Sequence, residues 1–276
     1  MCNRAVGDRV RAWAAIVSVL ALLATPALAA PPTTVFLEEL TWPELRGLIA
    51  SGTTTIILPI GGTEQNGPHM VLGKHNVRVR ALSERIARVL ANAVVGPVIA
   101  YVPEGGVSPP SGHMRFPGTM TVPEDVFRRS LESAARSARV HGFRDVVFLG
   151  DHGSTQAGEK AVAVRLNREW AATPIRAHAI EEYYRAATAG FRDLLRARGY
   201  RPEELGEHAG LLDTALALAI DPNLVRTESP RDVVVAGAGT GVDGDPRRAT
   251  AELGRLGIDL IVDRTVAAIR ESTNRR

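Results

Sequence analysis

The sequence predicts an α/β protein with a layered sheet of mainly parallel strands. Short runs of β-branched and apolar residues alternate along the chain with longer segments whose apolar residues recur at helical spacing. Strands that are separated by helices pair in parallel, since each helix carries the chain back to the start of the sheet. Of the 276 residues 45% are hydrophobic, which is enough for one large domain with its own core.

The first half of the chain supplies four predicted elements. Residues 53–60 and 94–102 are apolar runs and are predicted to be buried strands. Residues 77–90 carry apolar residues at helical spacing with arginines on the outer side, which predicts a helix between the two strands. A further helix over 121–140 is predicted by a threonine at its start, a proline in the first turn and two acidic residues near its positive end.

The second half continues the alternation. Residues 145–150 and 174–180 are predicted strands. Helices are predicted over residues 156–170, 210–220 and 249–271. No internal repeat or linker interrupts this order, so one domain is expected.

The N-terminus reads as a cleavable signal peptide over residues 1–29, ahead of a single domain over 30–276. Arginines precede an apolar run at 12–24, and Ala27-Leu28-Ala29 provides the small residues that a signal peptidase requires. A membrane anchor is the alternative, but the run is shorter than the ~20 residues that span a bilayer and Pro26 follows it. We therefore expect an exported, periplasmic protein without a membrane contact after signal cleavage.

Charge and cysteine content exclude several partners. The chain without residues 1–29 has 30 basic and 29 acidic residues, so the high pI says little about binding. Basic runs interleaved with aromatic residues are missing from the sequence, which argues against nucleic acid as a partner. The one cysteine, Cys2, lies within the predicted signal peptide, so no disulfide is expected in the mature chain.

Polar clusters follow two of the predicted strands directly. Glu64 comes after the strand at 53–60, and Asp151 and His152 come after the strand at 145–150. In open α/β sheets ligands bind beyond the carboxyl ends of the strands. We therefore expect these side chains to meet in one pocket at that edge.

Five ordered blocks of the sequence resemble the motifs of the creatininase (creatinine amidohydrolase) family. They are Glu64-Gln-Asn-Gly-Pro-His69 with His75 eleven residues after the glutamate, and the blocks at 111–119, 150–153, 208–214 and 244–250. The resemblance implies a three-layer α/β/α fold, often a hexamer and thus a homo-oligomer, and a metal site that uses zinc or manganese. It also implies hydrolysis of a cyclic or linear amide C–N bond in a small molecule, without naming the substrate.

The resemblance is incomplete at the metal. Positions that carry ligands in two-metal members of the family hold Glu64, Asn66, His75, His152 and Ser154 here. A neutral imidazole cannot bridge two ions, and an amide and a hydroxyl are weak zinc ligands. We therefore expect one divalent ion, held by Glu64, His75 and His152.

Two histidines and one carboxylate match catalytic mononuclear zinc, in which a fourth position stays open for water. Zinc lowers the pKa of such a water towards ~7 and polarises a carbonyl, as amide hydrolysis requires. Manganese and non-haem iron(II) are alternatives. Two other interpretations stay open: the three residues are ordinary polar loop residues, or the chain is an inactive periplasmic protein that binds a small molecule.

Two residues are predicted to act in catalysis. The resemblance places His208 at a catalytic histidine, which would protonate the leaving nitrogen or hold the oxyanion. Asp213 stands where the family has glutamate, and it would orient His208, approach the metal through water, or bind backbone at the helix start. Capping the following helix is the alternative role for His208.

The remaining candidates surround the expected ion. His113 and Arg115 lie in a loop that lines the pocket in the family, and both are predicted to contact substrate. Asp151 adjoins His152 and is predicted to contact substrate as well, with fixing a loop as its alternative role. Asn66 and His69 are predicted to lie behind the ligands. His69 has a second option, to replace the ligand that is lost at Asn66.

Overall fold

The computed structural model describes residues 33–206, 208–226 and 239–274. The predicted signal peptide lies outside these residues and stays a prediction from the sequence. In chain order the helices and strands are α1 (Trp42–Ala50), β1 (Thr55–Ile60), α2 (Lys74–Leu90), β2 (Ala93–Val95), α3 (Glu124–Val140), β3 (Asp145–Gly150), α4 (Gln156–Glu169), β4 (Arg176–Ala179), α5 (Glu181–Arg185), α6 (Phe191–Arg196), α7 (Leu211–Ile220) and α8 (Ala251–Asn274). In this part of the chain, no helix combines the length and apolar character that crossing a bilayer requires.

The strands form a parallel sheet, as predicted, and their order is β2-β1-β3-β4. The strand predicted over 94–102 is shorter in the structure, because Gly96-Pro97 follows β2 and proline has no N–H to donate to a sheet. The chain nevertheless stays beside β1, where Ile99 donates its N–H to the carbonyl oxygen of Pro59 at 2.9 Å. Pro59 is tolerated within β1 because β2 has already ended at its level.

Helices cover both faces of the sheet, which gives the predicted three-layer α/β/α architecture. Ile57 and Val147 belong to a core that includes residues of α2, α5, α6, α7 and α8. Ile56 and Phe148 point to the other face and share a core with residues of α3 and α4. All six residues of β1 are buried, as expected for a parallel strand with helices on both sides.

Helix α2 begins at Lys74, three residues before its predicted start. The prediction missed this turn because Lys74 and His75 are polar, yet both are buried on the inner side of the helix. Helix α1 was also missed, although Thr41 and Glu44 form a capping box at its start. Both helix starts consist of polar residues whose role depends on a specific contact, so apolar periodicity did not predict them.

The strand order places a topological switch point between β1 and β3. The chain passes from β1 outward to β2 and then returns to place β3 on the other side of β1. Adjacent connections therefore leave these two strands in opposite directions, and a crevice opens beyond their carboxyl ends. Glu64 follows β1 and Asp151 follows β3, so both lie at this crevice.

Replacing Leu131 on α3 with alanine should destabilise the protein by about 2–5 kcal/mol, because this side chain is fully buried in the core against α4. Val140 at the end of the same helix is 81% exposed, and Val140→Ala should change stability by less than about 0.5 kcal/mol. Urea unfolding measures both values. Equal losses of unfolding free energy for the two variants would contradict the packing of α3 against the core that it shares with α4.

Candidate metal centre

Four imidazoles surround the carboxylate of Glu64, which is fully buried. Glu64 Oε1 lies 2.8 Å from His75 Nε2 and 3.7 Å from His208 Nδ1. On Oε2, His152 Nε2 lies at 3.0 Å and His113 Nε2 at 3.2 Å. Burial acts to raise the pKa of Glu64, but hydrogen bonds from His152 and His75 outweigh it and hold the pKa far below its usual range. The carboxylate is therefore ionised and ready to bind a cation.

The donor atoms form two groups that could each hold a metal ion, and both contain Glu64. One group adds His75 and His152, and the other adds His113 and His208; within each, the donor atoms lie within 4.8 Å of one another. The first group consists of the three residues that the sequence predicted as ligands. Ligands at zinc's usual bond lengths stand about 3.4 Å apart around a tetrahedral ion, so small shifts would seat one.

Asp151 holds His75 from behind. Its Oδ2 lies 2.7 Å from His75 Nδ1, and its two oxygens also accept hydrogen bonds from Arg78 Nε and, at 2.7 Å, from the hydroxyl of Tyr183. A carboxylate on Nδ1 keeps a proton there and orients the ring, so Nε2 could bind an ion in place of its hydrogen bond to Glu64. Asp151 was predicted to contact substrate, but both of its oxygens are buried and occupied by protein donors. In the structure it positions His75, and it also lines the cavity in front of Glu64.

His152 is supported by Ser154. Its Nδ1 lies 2.7 Å from the hydroxyl oxygen of Ser154 and accepts a hydrogen bond from the backbone N–H of Ser154 at 3.1 Å. Because Nδ1 accepts the N–H of Ser154, the ring proton is on Nε2, which donates it to Glu64 Oε2. Ser154, expected only as a lost ligand, thus orients a retained one.

Asp213 lies in a buried ion-pair network. Its carboxylate accepts hydrogen bonds from Lys74 Nζ, from Arg78 Nη1 at 2.8 Å and from the N–H of Ala209 at 3.0 Å. Burial alone would raise its pKa, but Lys74 and Arg78 hold the pKa well below the usual value. Of the roles considered for Asp213, binding backbone at the helix start is the one present. The second anion of Arg78 is Asp151, so two cations face two anions.

His208 and His113 lie together on the other side of Glu64. Their ring centroids are 4.5 Å apart, and the amide nitrogen of Gln65 lies 3.0 Å from His113 Nδ1 and 2.9 Å from His208 Nε2. Burial, assisted by the charge of Lys74, lowers the pKa of His208 to about 4. Burial also lowers the pKa of His113. Both imidazoles are therefore neutral at pH 7.

These groups line a cavity of about 210 Å³. Glu64 and the four histidines share its wall with Tyr184, Thr188 and Leu212, which come from the region of α5 to α7. The sequence predicted no helix between 181 and 196, so this wall was missed. Arg115, predicted to contact substrate, is exposed and is not among the residues that line this cavity.

Asn66 and His69 act on the loop that carries Glu64. The amide of Asn66 donates to the carbonyl oxygens of Glu64 at 2.9 Å and Val71 at 3.1 Å, which closes the loop. His69 is buried and its Nε2 lies 2.9 Å from the hydroxyl of Thr214 on α7. His69 is therefore directed to Thr214 and not to the position of the lost ligand, which was the second option considered for it.

Glu104 is a site residue that the sequence reasoning missed. Its side chain is buried, and its Oε2 lies 3.2 Å from His152 Nε2. Neither of its oxygens has a hydrogen-bond partner in the described part of the chain. Burial and the nearby charge of Glu64 raise its pKa to about 9. Glu104 follows the run at 94–102 just as Glu64 follows its own strand, so the same reasoning would have found it.

Comparisons with known proteins agree with the family resemblance. A family model described as creatinine amidohydrolase matches residues 38–269. The creatinine amidohydrolase of Pseudomonas putida is 27% identical over 259 residues, covering 86% of this chain and 96% of the relative. The mycofactocin precursor peptide peptidase of Mycobacterium tuberculosis is 28% identical over 246 residues, covering 80% and 86%.

Solved structures share the fold over nearly their whole length. A creatininase described with Mn has a TM-score of 0.71 at 25% identity and covers 87% of this chain and 98% of its own. A mutant creatininase of Zn-Zn type has a TM-score of 0.69 at 25% identity and covers 87% and 99%. The fold at the candidate site is thus shared with proteins described with manganese or zinc.

Replacing Arg78 with methionine should destabilise the metal-free protein by about 3–5 kcal/mol, because Asp151 and Asp213 would each lose a buried positive partner. Arg88 on the same helix forms an exposed pair with Glu84, and Arg88→Met should cost less than about 1 kcal/mol. Urea unfolding in the presence of a chelator compares the variants. Similar losses at the two positions would show that the buried network is not a stabilising unit.

Replacing Glu104 with glutamine should stabilise the metal-free protein, increasingly so as the pH rises from 5 to 8. The pKa of Glu104 is about 9 in the folded chain and about 4.3 when unfolded, so the folded state binds an extra proton between these values. The stability of the wild type therefore falls as the pH rises between these two values. Glutamine cannot ionise, so the variant does not lose this part of the stability. Urea unfolding at several pH values tests this; a difference that is independent of pH would refute it.

Proposed function

This chain belongs to the creatininase family, and we propose that it hydrolyses an amide C–N bond of a small molecule with one divalent ion at Glu64, His75 and His152. The observation that carries the proposal is the ionised, buried carboxylate of Glu64 with both imidazoles within 3.0 Å. This arrangement lies at the switch point of the sheet and opens into a cavity. Family membership and the curated relatives support hydrolysis as the reaction class.

The donor set fits a metal. One carboxylate and two imidazoles suit zinc first, with manganese and iron(II) as alternatives, and the relatives described with Mn or Zn support this choice. Asn66 and Ser154 are engaged with the loop backbone and with His152, which favours one ion over two. When bound, such an ion supplies a Lewis acid that polarises an amide carbonyl and activates water.

The remaining cavity residues would act on the substrate. His208 is neutral at pH 7 because burial lowers its pKa to about 4, so it serves better as a hydrogen-bond donor to the carbonyl oxygen than as a general acid. His113 stands beside it and would contact the substrate, while Gln65 holds both rings. Asp213 would fix the start of α7 through Ala209, and with it the neighbouring His208.

The size of the cavity limits the substrate. A volume of about 210 Å³ is below the roughly 300–1,000 Å³ of typical ligand pockets, so it suits a small cyclic or linear amide. Export to the periplasm and assembly into a homo-oligomer complete the proposal; they rest on the sequence and on the resemblance.

The test is to strip the purified protein of metal, reload it with zinc, manganese or iron(II), and assay cyclic amides, lactams, formamides and short peptides. We expect metal-dependent turnover of at least one class and one tightly held ion per chain. Two tightly held ions would contradict the single-metal site. Binding without turnover under all conditions would favour an inactive binding protein.

Replacing His152 with alanine should abolish turnover and most of the metal retention, because the group of Glu64, His75 and His152 would lose one of its three donors. His141 is an exposed histidine at the end of α3, and His141→Ala should retain metal and activity. Metal analysis after gel filtration gives the ion content of each variant. Undiminished metal content in His152→Ala would disprove the ligand assignment.

A further inference from the structure

We propose that Glu104 is a fourth protein ligand of the ion at Glu64, so that two carboxylates and two imidazoles surround it. The inference rests on the proposed function for the ion itself. It concerns a residue outside the three-ligand set that the sequence predicts. Three independent features of Glu104 point to this role: its distance to His152, its unpaired oxygens and its fixed position.

The distances around His152 fit a shared ion. Its Nε2 lies 3.0 Å from Glu64 Oε2 and 3.2 Å from Glu104 Oε2. Ligand atoms at about 2.1 Å from a metal stand about 3.0–3.4 Å apart in octahedral or tetrahedral geometry. The Glu104 oxygen is thus already at a ligand's separation from the nitrogen that would bind the ion.

The carboxyl of Glu104 is buried without a hydrogen bond from the described residues, and its Oε2 has a close polar contact with His152. Its side chain is 0% exposed, and neither oxygen has a hydrogen-bond partner among the described residues. Buried acidic groups are as a rule hydrogen-bonded, paired or bound to metal. The nearby buried cations are committed elsewhere, since Lys74 pairs with Asp213 and Arg78 with Asp151 and Asp213. A divalent ion is the group that would satisfy both oxygens.

The backbone holds Glu104 in this position. The N–H of Glu104 donates a hydrogen bond to Thr121 Oγ1 at 2.9 Å. The carbonyl oxygen of Glu104 accepts one from the N–H of His113 at 3.2 Å. A Cβ at Gly62 would lie 2.7 Å from Glu104 Oε1, so only glycine leaves room for the carboxyl. The side chain therefore occupies a space shaped for it beside Glu64.

The charge of the site is better balanced with Glu104 as a ligand. One divalent ion with Glu64 and two neutral imidazoles leaves a net charge of plus one in a buried site. A second carboxylate makes the group neutral, which lowers the cost of burial. The added oxygen donor also suits manganese, or zinc that expands to five ligands. The chain would thereby replace part of the family ligand set that it lacks at Asn66 and Ser154.

The test compares Glu104→Gln with Glu159→Gln. Glu159 on α4 is a matched control, because it is also buried and its Oε1 also has no hydrogen-bond partner in the described part. Zn²⁺ affinity is measured by competition with a chelator, and the visible absorption spectrum of Co²⁺-loaded protein reports the ligand number. We expect Glu104→Gln to weaken Zn²⁺ binding by at least about 10–100-fold and to change the Co²⁺ band position and intensity. Glu159→Gln should match the wild type in both.

The outcomes separate the two proposals. Wild-type affinity and an unchanged Co²⁺ spectrum in Glu104→Gln, with metal lost in His152→Ala, would overturn the ligand role of Glu104 alone. A weaker affinity with an unchanged spectrum would also overturn it, because Glu104 would then act without touching the ion. Absence of metal binding by the wild type would overturn the proposed function as well. Circular dichroism confirms that each variant is folded.

Discussion

The buried negative charge of Glu64 is the constraint on which the rest of the site depends. An ionised carboxylate without water is costly unless hydrogen-bond donors or cations surround it. The loop after β1 places this charge at the switch point, and imidazoles from four separate segments converge on it. His75 and His152 could become ligands if a cation took the place of their hydrogen bonds to Glu64, and His113 and His208 stand beside them at the cavity. The same charge therefore organises the metal-free protein and attracts the ion.

A second layer of charges holds this centre rigid. Arg78 on α2 binds Asp151 at the end of β3 and Asp213 on α7, while Lys74 binds Asp213. Two cations and two anions cancel, so the layer ties three elements together without leaving a net charge in the core. Its role is orientation as much as stability, since buried ion pairs are weak stabilisers when they are compared with apolar packing. Here they fix the direction of His75 through Asp151.

The two residues that differ from the family's ligands make local hydrogen bonds. The amide of Asn66 closes the loop that carries Glu64, and the hydroxyl of Ser154 contacts Nδ1 of His152. Both positions thus support retained ligands. Glu104 enters from a different loop, and its carboxyl lies beside His152 without a hydrogen bond from the described residues. The candidate site thus lies at the switch point of the sheet, with two buried carboxylates beside His152.

The sequence by itself determined the alternation of strands and helices, the parallel sheet, and the arrival of Glu64 and His152 at one edge, because these follow from local periodicity and from chain order. Only the tertiary structure decided that Asp151 faces His75, that Asp213 faces Lys74 and that Glu104 belongs to the site. The physical reason is that the orientation of a polar loop side chain depends on the charged groups that it can contact. Those partners come from segments that are distant in sequence, so spacing along the chain does not encode them.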